Sequence, residues 1–156
     1  MEKEQLKRIF DFLEEKGEHN KPLKLKLIFN EPLTEEDLNV KGNLNLRNAN
    51  ITSLPEGLQV DGSLSLNNCY NLTSLPKNLD VTGNLDLFKC VKLTSLPKGL
   101  KVGGILELRN TKINSLPKGL EVHFGLFINN TALLEYTNNE LRDMIKPGFI
   151  KGDIIR

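Results

Sequence analysis

Between Val40 and Val122, apolar and polar positions alternate in a phrase that is written four times and begun a fifth. Val-x-Gly-x-Leu-x-Leu opens each unit and Leu-Pro-x-Gly/Asn-Leu closes it. The opening valines, Val40, Val60, Val81, Val102 and Val122, stand 20, 21, 21 and 20 residues apart. A fixed period in this range predicts the stacked coils of a solenoid, since one such unit cannot bury its apolar side without a neighbour. Inside a unit the period is two. Val81, Gly83, Leu85 and Leu87 share one side, while Thr82, Asn84, Asp86 and Phe88 share the other, the pattern of a strand with one buried face. Stacking these strands gives a parallel sheet with rungs about 4.8 Å apart.

The rest of each unit has to bring the chain back. A turn column of small residues, Ala49, Cys69, Cys90, Thr111 and Thr131, is followed by Ile51, Leu72, Leu93, Ile113 and Leu133, which point inward again. Leu54, Leu75, Leu96 and Leu116 each precede a proline, which restricts them to extended angles, so the return side is expected to be extended rather than helical. Gly57, Asn78, Gly99 and Gly119 accept positive φ and mark the next turn.

Outside the repeats the pattern changes. In residues 1–16, Leu6, Ile9, Phe10 and Leu13 recur at helical spacing, with Gly17 as a stop, predicting an amphipathic helix that caps the array. Leu23, Leu25, Leu27 and Phe29 alternate with Lys24, Lys26 and Ile28 between two prolines, which predicts an edge or capping strand. Thr34 to Asp37 fits a capping box and a short helical turn. The fifth unit departs from the rule, with Phe124 for glycine and Tyr136-Thr137 for Leu-Pro, as a terminal coil should. Thr137 to Glu140 is a second capping box, opening a short helix with Leu141, Met144 and Ile145 on its apolar face, and Phe149 to Ile155 is expected to close the end as a strand. The expected organisation is an N-terminal cap over 1–37, a solenoid over 38–136 and a C-terminal helix-strand cap over 137–156.

The unit Leu85-x-Leu87-x-x-Cys90-x-x-Leu93-x-x-Leu96-Pro97 resembles a leucine-rich repeat. Its Leu-Pro ending is similar to the short repeats of bacterial effectors and to compact phage-borne repeat proteins. The resemblance covers residues 38–136 and implies an α/β, mostly β, right-handed superhelix of five coils whose sheet face binds another protein. From the phage-type repeats it implies an inhibitor that occludes a host defence protein. Two departures stand out. Lys41, Asp61, Thr82, Gly103 and His123 occupy the place of the family's first leucine, and Ala, Cys or Thr replaces the turn asparagine, whose ladder must then be rebuilt by hydroxyls or water.

Composition narrows the function. With 21 Lys+Arg against 20 Asp+Glu in 156 residues the net charge is +1, which supplies no global field toward nucleic acid or an anionic membrane. No apolar run approaches the roughly 20 residues of a membrane span, and the opening Met1-Glu-Lys-Glu-Gln is acidic where a signal peptide is basic and then apolar, so a cytoplasmic protein without a membrane partner is expected. Cys69 and Cys90, neighbours in one turn column, read as buried thiols. With His19 and His123 in different regions, they supply neither a disulfide framework nor a metal set. No cofactor is implied.

Candidate chemistry lies on the outward columns. Their first half is bland and polar, but Phe88, Ile105 and Phe127 expose apolar bulk beside Asp86, Glu107 and Arg109, the composition of an interface hot spot. These six residues are the candidate partner-binding site. Asp86 beside Glu107 also has the form of a carboxylate pair, yet on an open sheet no pocket raises a pKa for acid-base work, so a non-catalytic module is expected. The alternative is a polyanion or nucleic-acid site on the convex side, where Lys77, Lys98 and Lys118 follow the prolines and Lys92 and Lys112 follow the turns. The sheet face offers on the order of 400 Å² against about 800 Å² for a standard partner footprint, which leaves a homodimer open as a way to enlarge it.

Overall fold

The computed structural model describes residues 2–15 and 23–156. Helix α1 (Glu2–Glu15) comes first, then α2 (Leu23–Phe29) and α3 (Glu35–Leu38). Six pairs of short strands follow: β1 (Asn39–Lys41) with β2 (Leu44–Asn45), β3 (Gln59–Asp61) with β4 (Leu64–Ser65), β5 (Asp80–Val81) with β6 (Leu85–Asp86), β7 (Lys101–Val102) with β8 (Leu106–Glu107), β9 (Glu121–Val122) with β10 (Leu126–Phe127), and β11 (Phe149–Ile150) with β12 (Ile154–Ile155). A 3-10 turn (Ala132–Glu135) and helix α4 (Asn138–Met144) separate the fifth pair from the sixth. The first strand of each pair joins one six-stranded parallel sheet and the second strand joins another. Together they make a β-solenoid.

Register follows the repeat. Val40, Val60, Val81, Val102 and Val122 stack on one another, with Ile150 next in line. Leu44, Leu64, Leu85, Leu106, Leu126 and Ile154 do the same in the second sheet. The inward columns, including Ile51, Leu72, Leu93, Ile113 and Leu133, form one continuous apolar core. Each leucine removed from water there contributes roughly 2 kcal/mol, so the array is held by repetition rather than by any one contact. The return segments with Leu-Pro carry neither helix nor strand, and Gly57, Asn78, Gly99 and Gly119 all take positive φ, as expected.

The strand expected to run unbroken through Val-x-Gly-x-Leu is instead two strands with a bend after the glycine. Backbones of successive rungs touch at that bend. A Cβ on Gly62 would lie 2.5 Å from the Gly42 carbonyl carbon, and one on Gly83 would lie 2.8 Å from that of Gly62. At these two rungs glycine is what lets the backbones approach this closely. The bend gains its own hydrogen bonds: Gly83 N–H donates to Gly62 O at 2.8 Å, Gly104 N–H to Gly83 O at 2.9 Å and Phe124 N–H to Gly104 O at 3.1 Å.

In the turn column the thiols bond to the preceding rung, whereas the hydroxyls bond back within their own coil. Cys69 Sγ donates to Leu46 O at 3.1 Å and Cys90 Sγ to Leu66 O at 3.2 Å, while the Thr111 and Thr131 hydroxyls donate to Leu108 O and Ile128 O at 2.7 and 2.6 Å. Both cysteines are free and buried. Burial pushes the Cys90 thiol up to about 12 and raises that of Cys69, which keeps both protonated as donors. The residue before each member of this column, Asn48, Asn68, Lys89, Asn110 or Asn130, takes positive φ.

The segment 23–29, expected as a strand, is helix α2. Alternating Leu-Lys also puts Leu23 and Leu27 one helical turn apart, and both pack on the core beside buried Leu25. The deciding partner lies outside the segment. Lys26, with a side chain only 9% exposed, pairs with Asp37 at 2.7 Å, and Asp37 closes the capping box by accepting from Thr34 N–H. In α1, Ile9 and Phe12 are exposed and Leu6 is half-buried, the side chains of Phe10 and Leu13 lie outside the described residues, and Leu23 and Leu27 of α2 pack on the core.

The C-terminal end is also finished by side chains. In α4, capped by the Thr137–Glu140 box, Leu141 and Ile145 are buried, and the Met144 sulfur accepts from Leu116 N–H. Arg142 reaches back to donate to Gly152 O at 2.9 Å. Gly152 holds the sixth-rung place in the glycine column, so the guanidinium stands where the backbone N–H of a seventh rung would be. Arg156 ties the last strand to Leu134 O, Tyr136 O and Asn138.

Two outcomes test this arrangement. Gly83→Ala is expected to cost about 2 kcal/mol or more in urea unfolding, because backbone on the neighbouring rung cannot retreat from the new methyl group. Burial raises the Asp37 pKa, but the hydrogen bonds from Lys26 and Thr34 outweigh it and hold the carboxyl below its ordinary 3.8. The resulting stability is present above that value and lost as pH falls through the lower folded pKa. Asp37→Asn, which strands a buried ammonium, should therefore cost about 3 kcal/mol at pH 7, with the gap to wild type closing as pH falls through the lowered Asp37 pKa.

Candidate functional site

The outward side of the second sheet carries all six residues singled out by the sequence, and they meet. Asp86 and Glu107 are register partners on β6 and β8, with Phe127 one rung further on β10. Phe88 and Arg109 follow two residues after the two acids, on the same side. Arg109 lies between two aromatic rings, its guanidinium carbon 5.6 Å from the Phe88 centroid and 5.3 Å from that of Phe127. Each contact is worth about 0.5–1 kcal/mol at a partly exposed site. Phe88, Ile105, Glu107 and Arg109 line a shallow cup with Asn84 and Asp86.

The two carboxylates are spoken for. Glu107 accepts from Arg109 Nε at 2.9 Å and from its Nη2 at 2.6 Å, and also from the Arg109 backbone N–H at 2.9 Å. The hydrogen bond to Glu107 raises the Arg109 pKa above its ordinary value. Asp86 accepts from Phe88 N–H at 3.0 Å and from the Asn67 amide at 2.7 Å, and Asn67 in turn accepts from Arg47 at 2.9 Å. A line of donors and acceptors thus crosses three rungs and ends at the rim of the cup. It fixes the side chains around Phe88 before any partner arrives.

The column one place nearer the bend, classed as bland from the sequence, has a structural task. Asn43 Oδ1 accepts from Ser63 N–H, Ser63 Oγ from Asn84 N–H and Asn84 Oδ1 from Ile105 N–H, at 2.8, 3.0 and 2.8 Å. Each outward polar side chain holds the next rung's backbone at the bend. Ile105 ends the series, and the apolar half of the face begins there.

No protein-family model, curated protein or solved structure matches this chain. What the site does must come from its own geometry.

That geometry adds residues the sequence pattern did not single out. Beyond Ile105 and Phe127 the apolar surface continues through Phe124, 65% exposed, and Ile155, 40% exposed, into a second hollow with His123, Lys151 and Asp153 around it. Alternation assigns Phe124 to the inward glycine column, so parity alone hides it; its aromatic bulk in a place reserved for hydrogen was the available signal. On the convex side, Lys77 and Lys98 line an open groove with Ser74, Ser95 and Pro97, in which no aromatic takes part. Lys92 is held by Asn71 at 2.7 Å.

If Arg109 is fixed as described, its Nε–H should give a distinct, slowly exchanging ¹⁵N–¹H resonance that is lost in Glu107→Ala. The accompanying stability loss should stay within about 1 kcal/mol, because the pair faces water on one side.

Proposed function

We propose that this chain is a non-catalytic protein-binding module that uses the second-sheet face around Asp86, Phe88, Ile105, Glu107, Arg109 and Phe127. The observation that carries this reading is an arginine held between two half-buried phenylalanines on a pre-ordered sheet face. Aromatic residues and arginine with little freedom left to lose are what interface centres are made of. The neighbouring carboxylates are already engaged by Arg109 and Asn67, so their chemistry serves the surface itself.

In this reading the solenoid is a leucine-rich-repeat-like scaffold, and its partner is a protein that presents a large apolar side chain to the cup. The six-rung face covers on the order of 500 Å², below the roughly 800 Å² per partner of a standard interface, so the contact is weak or is used more than once. Following the phage-type resemblance, the partner belongs to a host defence system that the face occludes.

Capture from host lysate with immobilised wild type and with Phe88→Ala/Arg109→Ala, compared by mass spectrometry, tests the face. A protein retained by the wild type and reduced at least about tenfold by the double variant is expected, as for hot-spot truncations. Equal retention by the two baits would overturn the assignment.

A further inference from the structure

The hollow at the C-terminal end of the face shares Ile105 and Phe127 with the partner-binding reading and adds residues which that reading does not use. Its walls are Ile105, Phe124, Phe127 and Ile155, and Lys151 and Asp153 stand on its rim, both exposed, on either side of Gly152. Phe124 occupies a column that is glycine in the preceding rungs, and 65% of it is open to water. Nothing in rung packing calls for an aromatic there. Leaving this surface in water forgoes the hydrophobic gain of covering it.

The rim chemistry indicates what covers it. An apolar centre with one cation and one anion beside it is its own complement under a two-fold rotation, since Lys151 of one copy then meets Asp153 of the other, and the reverse. Among the described residues, Lys151 Nζ has His123 Nδ1 at 3.4 Å and the Phe149 ring at 5.2 Å, but no carboxylate partner. At the end of the array Arg142 already holds Gly152 O. Side chains on the sheet face are left to make the contact.

We infer that this hollow is the contact between two copies of the chain in a weak two-fold dimer, with Phe124 as its apolar anchor and Lys151 and Asp153 as reciprocal ion pairs. The dimer does not depend on the identity of any other partner. Because Ile105 and Phe127 belong to both surfaces, the dimer and the partner proposed above compete for this end of the face.

Sedimentation equilibrium of the full chain from about 10 µM to about 1 mM at low salt tests this, with thermal unfolding by circular dichroism as the check on folding. Wild type should dimerise with a Kd on the order of 10–100 µM, as for a contact below standard size. Phe124→Ser, Lys151→Glu and Asp153→Lys should each weaken the dimer about tenfold or more, and Lys151→Glu/Asp153→Lys should recover most of the loss, because the swapped charges again face their opposites. A wild-type monomer at about 1 mM, or a double swap that stays as weak as the single variants, would overturn the inference. Lysate capture is scored at Phe88 and Arg109, which do not line this hollow, so the two proposals fail separately.

Discussion

Backbone touching backbone at the glycine bend is the constraint on which this molecule depends. Where Gly62 meets Gly42 and Gly83 meets Gly62, there is no room for a single methyl group. Close approach lets the bend carry its own rung-to-rung hydrogen bonds, and the bend splits what would be one flat sheet into two. With the valines in one sheet and the leucines in the other, both can face a single narrow core. The outward residues after the glycine are drawn into the same arrangement, because Asn43, Ser63 and Asn84 satisfy amides that the bend turns away from their strand partners. Packing, hydrogen bonding and the division of the outer surface thus follow from one column of hydrogens.

That division explains why the face has two characters. In the first rungs outward polar groups serve the scaffold, Asn43, Ser63 and Asn84 through the bend ladder and Arg47, Asn67 and Asp86 through their own line. From Ile105 onward the ladder stops and apolar side chains take over, so the surface that can gain most from contact lies at the C-terminal end. Arg109 sits at the junction, fixed by Glu107 on one side and by two rings on the others. An ordered polar border beside an apolar field is a sound arrangement for recognition, since little side-chain freedom remains to be lost on binding.

Much of this could be read from the residues alone. Alternation placed Val81, Leu85 and Leu87 inside and Asp86 and Phe88 outside, and the fixed period brought Phe88, Arg109 and Phe127 to one place, because in a solenoid sequence distance translates directly into rung number. What escaped depends on contacts that no local pattern contains. Leu-Lys alternation over 23–29 fits a strand as well as a helix, and the choice is made by Lys26 pairing with Asp37, eleven residues on. The break in each strand follows from interrung spacing, which one unit does not reveal. Phe124 was assigned inward by parity and turned outward, because the column it belongs to has no volume for a ring. The asparagines at 48, 68, 110 and 130 carried a readable signal for positive φ, but it lay one residue from the column of small side chains that drew attention.

Arg142 offers a last consequence. By lending its guanidinium to Gly152 O, one side chain stands in for a whole further coil, so the length of the array is decided by its terminus and not by its interior. Interior coils are interchangeable: the same registers and the same buried columns recur wherever a unit is placed. Such a gene can lengthen or shorten by one unit of about twenty codons while both ends stay intact, widening or narrowing the displayed wall without redesigning a core. A scaffold of this kind can change the reach of its recognition surface in single steps, each of which still folds.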